Sequence, residues 1–289
     1  MKILVTGGSG FLGSHIVDAL ILANHDVIVF DQFKSSYLNE NASFVEGSIN
    51  NEEAVLSVAE GCDVIYHFAA IADISEALSD PTQTMQINVM GTLNVLESAR
   101  KNNITRFIFA SSIYVYSSQG AFYRTSKRTC EQLIEDYNSQ FSLNYTILRF
   151  GSLYGPRADA SNTVCQLITQ ALKSNSMSYL GTGHEMREYI HISDGAAAAV
   201  QMLDAEFENQ IIHLTGHERM TTLSMMKMIA EIIGSNVSIN VDTGEMPGHY
   251  FQTPYSYMPK LGKKLVRSSY IDIGLGLLDL IERHHQDDA

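Results

Sequence analysis

Basic side chains are scarce in this chain. It carries 19 Lys and Arg against 32 Asp and Glu in 289 residues, a formal charge of −13 at pH 7. Binding a nucleic-acid backbone needs a basic footprint, so no nucleic-acid partner is expected. A small phosphate-bearing ligand held by a few local groups stays compatible with this balance. Cysteine is thin as well. Cys62, Cys130 and Cys165 are odd in number and far apart. They form no metal-ligand pattern, so no metal is expected, and a reducing, cytoplasmic compartment fits them best. No apolar run reaches the roughly 18–20 residues that span a bilayer, so no membrane partner is expected. The alanine-rich run at 196–200 is too short. There is no internal repeat and no low-complexity block. The first residues already read as a strand, so no leader peptide is expected before them.

What is present is an ordinary globular composition, with 45% hydrophobic and 18% charged residues. The length suits one large domain or two modest ones. Up to about residue 150, short apolar runs alternate with amphipathic ones. Strands are predicted at 3–6, 26–30, 43–46, 64–68, 107–110 and 145–149. Helices are predicted at 11–23, at 51–59 with Asn50 as its cap, at 82–100 opened by Pro81, and at 123–141. This alternation predicts an α/β fold, a Rossmann-type doubly wound parallel sheet with ligands beyond the carboxyl ends of its strands. After Gly155-Pro156 the pattern loosens. Helices are predicted at 163–173, 193–205, 223–234 and 272–283, with short strands at 177–180, 211–214 and 237–241. The expected division is a dinucleotide-binding domain at 1–155 and a smaller α/β substrate lobe at 156–289. Some segments of that lobe are expected to return to the main sheet.

Gly7, Gly10 and Gly13 sit three apart between the first strand and the first helix, with Phe11 and Leu12 among them. In a strand–turn–helix unit such glycines allow the tight turn, the close approach of a pyrophosphate and the close packing of the helix. The free N–H groups at the helix start then hold the phosphates. Asp31 ends the second strand, where a carboxylate accepts from ribose hydroxyls and repels a 2′-phosphate. NAD is therefore favoured over NADP, and the nearby Lys34 moderates that preference. Tyr123 and Lys127 are four apart, on one face of a helix. A cation beside a phenol favours the phenolate, so a lowered pKa and a general acid/base role are expected of Tyr123. The same spacing also suits a solvated helix face. Ser111-Ser112 end the fifth strand, where a hydroxyl could steady a developing carbonyl or merely cap a turn. His67 reads as a packed histidine ending the fourth strand, followed by Phe68, Ala69 and Ala70, of which the small ones let a flat cofactor lie close. Asn88, a poor helix former, is either buried against backbone near the site or exposed.

Together these segments resemble the NAD-dependent sugar-nucleotide epimerase/dehydratase family, extended short-chain dehydrogenases of the UDP-glucose 4-epimerase type, over nearly the whole length. The motifs are Thr6 to Gly13, His67-Phe68-Ala69-Ala70, Asn88 to Leu96, Ser111 to Tyr116, Tyr123 to Lys127, Arg149 with Tyr154-Gly155-Pro156-Arg157, and Arg187 to Asp194. The resemblance implies NAD as cofactor and Ser112, Tyr123 and Lys127 as the catalytic set. Tyr123 would take the proton from a sugar hydroxyl while the hydride passes to the nicotinamide. Lys127 would also bind the nicotinamide ribose. It further implies a cofactor site that adds Ser48, Ile49, Asn88 and Ser111 to the residues above, and a substrate site including Ser152, Arg157 and Arg187. Arg187 would pair with the diphosphate of a nucleotide sugar, or else make an ion pair between lobes. The helices near 82–100 and 123–141 would pair across a two-fold in a homodimer.

Departures from the family pattern are informative. The segment 117–122 between Tyr116 and Tyr123 is shorter than usual, so a more open pocket or an unusual sugar is expected. Gly47-Ser48 replaces Gly-Asp, Ser152 stands where an asparagine is common, and Met246-Pro247-Gly248-His249 stands near the place of a late Arg-x-Gly-Asp-type segment. Dehydratases of the family carry Asp-Glu after the catalytic Thr or Ser, and decarboxylases a glutamate in the same stretch. Here Ile113-Tyr114 follow Ser112. Epimerisation of a nucleotide sugar, most simply at C4 through a transient ketone, is therefore the expected activity. The alternatives are an NAD(P)H-dependent reductase or dehydrogenase of a keto-sugar nucleotide, and a dinucleotide-sensing regulatory protein on the same fold.

Overall fold

Successive residues of the central strands face opposite sides of one sheet. Leu4, Ile65, Phe107, Phe109 and Ile147 enter one core, and Ile3, Val5, Tyr66, Ile108 and Leu148 enter the other. A sheet buried on both faces needs such continuous apolar strands, with helices covering each side. The computed structural model describes residues 1–255, apart from 218, 235, 243 and 245–247. They belong to one compact unit, Met1–Tyr257.

In chain order the first half runs β1 (Lys2–Thr6), α1 (Phe11–Leu22), β2 (Asp26–Asp31), β3 (Ser43–Glu46), α2 (Glu52–Val58) and β4 (Val64–His67). It continues with α3 (Ile74–Ser79), α4 (Pro81–Met85), a π-helical turn (Gln86–Met90), α5 (Gly91–Lys101), β5 (Arg106–Ser112), α6 (Ala121–Phe141) and β6 (Tyr145–Phe150). The second half holds β7 (Ser152–Tyr154), α7 (Thr163–Ser174), β8 (Ser176–Leu180), β9 (Met186–His191) and α8 (Ile192–Gln201). Then come β10 (Gln210–Leu214), β11 (Arg219–Thr221), α9 (Thr222–Ile233) and β12 (Ser238–Asp242). The expected helix at 272–283 lies outside the described residues.

The main sheet has seven strands in the order β10-β6-β5-β4-β1-β2-β3. Every neighbouring pair is parallel. Strand order reverses between β1 and β4, which opens a crevice at their carboxyl ends. A doubly wound Rossmann-type α/β sheet was expected, and this is one. Late segments take part in it: β10 extends the edge beside β6, and α8 packs on α1. A three-stranded sheet, β11-β9-β7, and a two-stranded one, β12-β8, complete the strands. Leu167, Met177, Met226 and Ile229 build a third core under the smaller sheets.

Local chemistry accounts for most element ends. Pro81 occupies the first turn of α4 behind Asp80, whose carboxylate accepts from the Gln83 N–H at 2.9 Å. The cap of α2 is Asn51, not Asn50: its side chain accepts from the Ala54 N–H at 3.1 Å. The strands β7, β9 and β11 were not foreseen.

Candidate active site

The turn after β1 is built on close approach. A Cβ at Gly13 would lie 2.1 Å from the Gly7 carbonyl oxygen, so only glycine lets α1 pack on the turn. A Cβ at Gly10 would meet only that same oxygen, at 3.4 Å. Gly10 therefore presents bare backbone to a cavity at the start of α1, where a pyrophosphate fits. Asp31 closes β2 with its carboxylate held by the Ser9 and Gln32 N–H groups at 3.0 and 2.7 Å. Burial pushes its pKa up, and those amides work against the shift.

Two cavities lie along the carboxyl ends of the strands, of about 730 and 380 Å³. They share Gly7, Gly10, Phe68 and Ala70 and so form one trough. Asp31, Ile49 and Ala69 line its smaller end. Phe11, Leu12, Gly13 and Ser111 line the larger, with Ser112, Tyr123 and Lys127 deep in it. Ser152 and Arg187 reach the larger end from the second half of the chain. The trough thus brings together most residues singled out in the sequence.

Three of them are not on its walls. Ser48 accepts from the Asn50 N–H at 3.3 Å and lies off both cavities. Arg157 pairs with Asp18 at 2.7 Å and covers the Tyr37 ring. Asn88 is buried in the π-helical turn, accepting from the Ile71 N–H at 2.7 Å and donating to the Ile71 carbonyl at 3.0 Å. It shapes the loop after β4, while Ile71 itself lines the trough. His67 is a packed residue, with Nδ1 2.6 Å from the Thr6 hydroxyl and Nε2 2.9 Å from that of Thr92. Burial and the Lys127 charge lower its pKa to about 3.

The helix α6 sets Tyr123 and Lys127 on one face, with the Lys127 Nζ 5.9 Å from the phenol ring centroid. Nζ donates to the Ala110 carbonyl at 2.8 Å and lies 4.7 Å from the Phe109 ring centroid. Lys127 is only 4% exposed, and burial lowers its pKa to about 8. The expected lowering of the Tyr123 pKa is not found. Burial pushes that phenol up to about 12, and the Ser112 hydroxyl beside it pulls the other way. Desolvation dominates, and the Lys127 charge is directed at a carbonyl and an aromatic face instead of the phenol oxygen.

Behind this set runs a polar chain. Glu131, four residues beyond Lys127 on α6, accepts from Ser111 at 2.5 Å and from Arg149 at 2.6 and 3.0 Å. Arg149 continues to the Tyr116 hydroxyl, which meets His213 Nε2 at 3.0 Å. Arg187 is 8% exposed, stacked 4.3 Å from the Tyr250 ring centroid, and donates to the Met186 carbonyl at 3.1 Å. Among the described residues no carboxylate lies within 4.0 Å of it, so the interlobe ion pair is absent there. A buried cation on a cavity wall without a protein counter-charge suits an anionic ligand.

The short loop at 117–122 does not leave the larger cavity without a wall. Residues 248–251 cross it. The Gly120 N–H donates to the Gly248 carbonyl at 2.7 Å, and the Met186 N–H to that of Phe251 at 2.8 Å. Tyr250 packs against Tyr114 at 4.5 Å between centroids, the rings tilted by 51°, and His249 lines the cavity. Tyr114, His249 and the apolar Phe33 at the trough's mouth were missed in the sequence. Nothing local marks them, because each gains its place from a partner distant in the chain.

Residues 3–214 match the NAD dependent epimerase/dehydratase family. The chain belongs to that family. Its cofactor is NAD, and the bare Gly10 backbone with Asp31 beyond it fits that dinucleotide. As a member of the family the protein is an enzyme. A Methanocaldococcus jannaschii protein provisionally named UDP-glucose 4-epimerase is 33% identical over 238 residues, 75% of this chain and 77% of that one. The UDP-glucose 4-epimerase of Thermotoga maritima, solved with UDP-glucose, superposes with a TM-score of 0.83 at 27% identity, covering 89% of this chain and 90% of that one. The UDP-glucuronic acid 4-epimerase of Bacillus cereus, solved with UDP-glucuronic acid and NAD, gives 0.80 at 26% identity over 91% and 95%. Among the described residues no helix is long and apolar enough to cross a membrane.

Proposed function

We propose that this family member is an epimerase of a nucleotide-activated sugar, acting at C4. The observation that carries this reading is the content of the strand end at Ser112. Ile113 is fully buried and Tyr114 is bonded to His249, so no carboxylate follows the serine to drive loss of water or carbon dioxide. What faces the trough is the hydroxyl, phenol and ammonium of Ser112, Tyr123 and Lys127. Those groups suffice for reversible carbinol oxidation. NAD, when bound, supplies the hydride acceptor. Tyr123 takes the proton from the sugar hydroxyl and returns it, Ser112 holds the same oxygen and pulls the raised Tyr123 pKa back down, and Lys127 would hold the ribose. Arg187 holds the diphosphate, and Ser152 lies beside the sugar. The protein acts in the cytoplasm as a homodimer whose interface is formed by the helices near 82–100 and 123–141.

The test is to denature purified protein and identify the released nucleotide by mass spectrometry, then to follow UDP-, GDP- and dTDP-sugars by NMR. Stoichiometric NAD and interconversion of C4 isomers are expected. Empty protein that consumes NADH one-for-one with a keto-sugar would make it a reductase instead.

A further inference from the structure

From the crossing segment the imidazole of His249 lines the larger cavity, and we infer that it determines sugar specificity. The inference rests on the nucleotide-sugar reading above. The short loop at 117–122 has no acidic or basic side chain to offer the cavity. Its place is taken by residues 248–251, which are fixed at both ends by backbone bonds, from Gly120 N–H to Gly248 and from Met186 N–H to Phe251. Gly120 is required for this docking. It has φ +91°, and a Cβ there would lie 2.8 Å from the Tyr114 ring.

Between those anchors the imidazole is oriented by one bond. The Tyr114 hydroxyl and His249 Nδ1 are 2.9 Å apart. Burial raises the Tyr114 pKa, so the phenol keeps its proton, and in this proposal it donates that proton to Nδ1. Burial and the Arg187 charge lower the His249 pKa, so the ring is neutral near pH 7. A neutral ring that accepts at Nδ1 carries its proton on Nε2. Nε2 has no hydrogen-bond partner among the described residues, and the ring lines the same cavity as Ser112 and Tyr123. The ring therefore presents one fixed, uncharged donor to a sugar oxygen. Tyr114 stands edge-on to Tyr123 at 6.2 Å between centroids, so the donor belongs to the reacting end of the trough. The group it recognises is an acceptor oxygen of the sugar, which an N–H donor can bond whether or not that oxygen is charged.

The experiment is isothermal titration with UDP-, GDP- and dTDP-hexoses, each measured against its bare nucleoside diphosphate. The wild-type protein, His249→Phe, His249→Gln and Tyr114→Phe are compared. In wild-type protein the sugar tightens binding over the bare diphosphate. In His249→Phe the affinity for the sugar nucleotide falls about tenfold, the size of one lost hydrogen bond, while the diphosphate binds as before. His249→Gln recovers most of the loss, because its amide nitrogen takes the place of Nε2. Tyr114→Phe shows an intermediate loss, by freeing the ring to turn. If His249→Phe weakens diphosphate and sugar nucleotide alike, or neither, the inference is overturned and the residue is structural. Wild-type protein that binds a diphosphate but gains nothing from its sugar also overturns it. Failure to bind any of the diphosphates would remove the nucleotide-sugar reading itself, and this inference with it.

Discussion

Burial acts on Tyr123 and Lys127 in the same sense, disfavouring the charged form of each. The phenol rises to about 12 and the ammonium falls to about 8. Near pH 7 the phenol is therefore protonated and the lysine still mostly charged, its ammonium held by a carbonyl and an aromatic face. On the proposed reading, removing it would leave the ribose of NAD without its cationic partner. Lys127→Ala is expected to weaken NAD binding about tenfold, the size of a charge-assisted hydrogen bond, and to depress turnover as well. Equilibrium dialysis with labelled NAD checks this; unchanged affinity would place Lys127 away from the ribose. His67 offers a pH test of the core. Its folded pKa of about 3 lies below the ordinary 6.5, so the unfolded chain binds more protons between those values. Its contribution is fully present above pH 6.5 and is lost as the pH falls through that window. Urea midpoints should fall more between pH 7 and pH 5 in wild-type protein than in His67→Gln, which carries no titrating ring.

At the scale of elements, the helix at 82–100 shows what a one-dimensional pattern conveys. Pro81 and the apolar periodicity gave its start and extent, but not the π-helical turn at Gln86–Met90 in its middle. That turn carries Asn88, whose amide binds both the N–H and the carbonyl of Ile71 and also Ser126. Asn88→Ala strands buried backbone groups, so a loss of about 2–3 kcal/mol in urea denaturation is expected. The glycine turn, Asp31 and the serine, tyrosine and lysine were legible because their chemistry is local to a strand end or a helix face. Strand β9 was not, because Met186–His191 mixes charged and apolar residues, and its pairing depends on β7 and β11. Ser48 and Arg157 were singled out as ligands, and the structure gives them partners outside the two cavities, which no local pattern signals. His249 was visible as a departure, but its bond to Tyr114 spans 135 residues, which no local spacing reveals.

For the whole molecule the proposed homodimer is the first expectation to test. Light scattering at micromolar concentration should return twice the 32.0 kDa of one chain; a monomer mass would remove the proposed helix pairing. Strand β10 has a different consequence. It joins the main sheet beside β6, yet some sixty residues separate the two in the chain. On the ribosome the first six strands emerge well before their seventh neighbour exists. Until Gln210–Leu214 is made, the unpaired edge of β6 is open to any other extended chain nearby. A gene cut after residue 155 would make that passing state permanent, so such a fragment is better regarded as an aggregation template than as a separable cofactor domain.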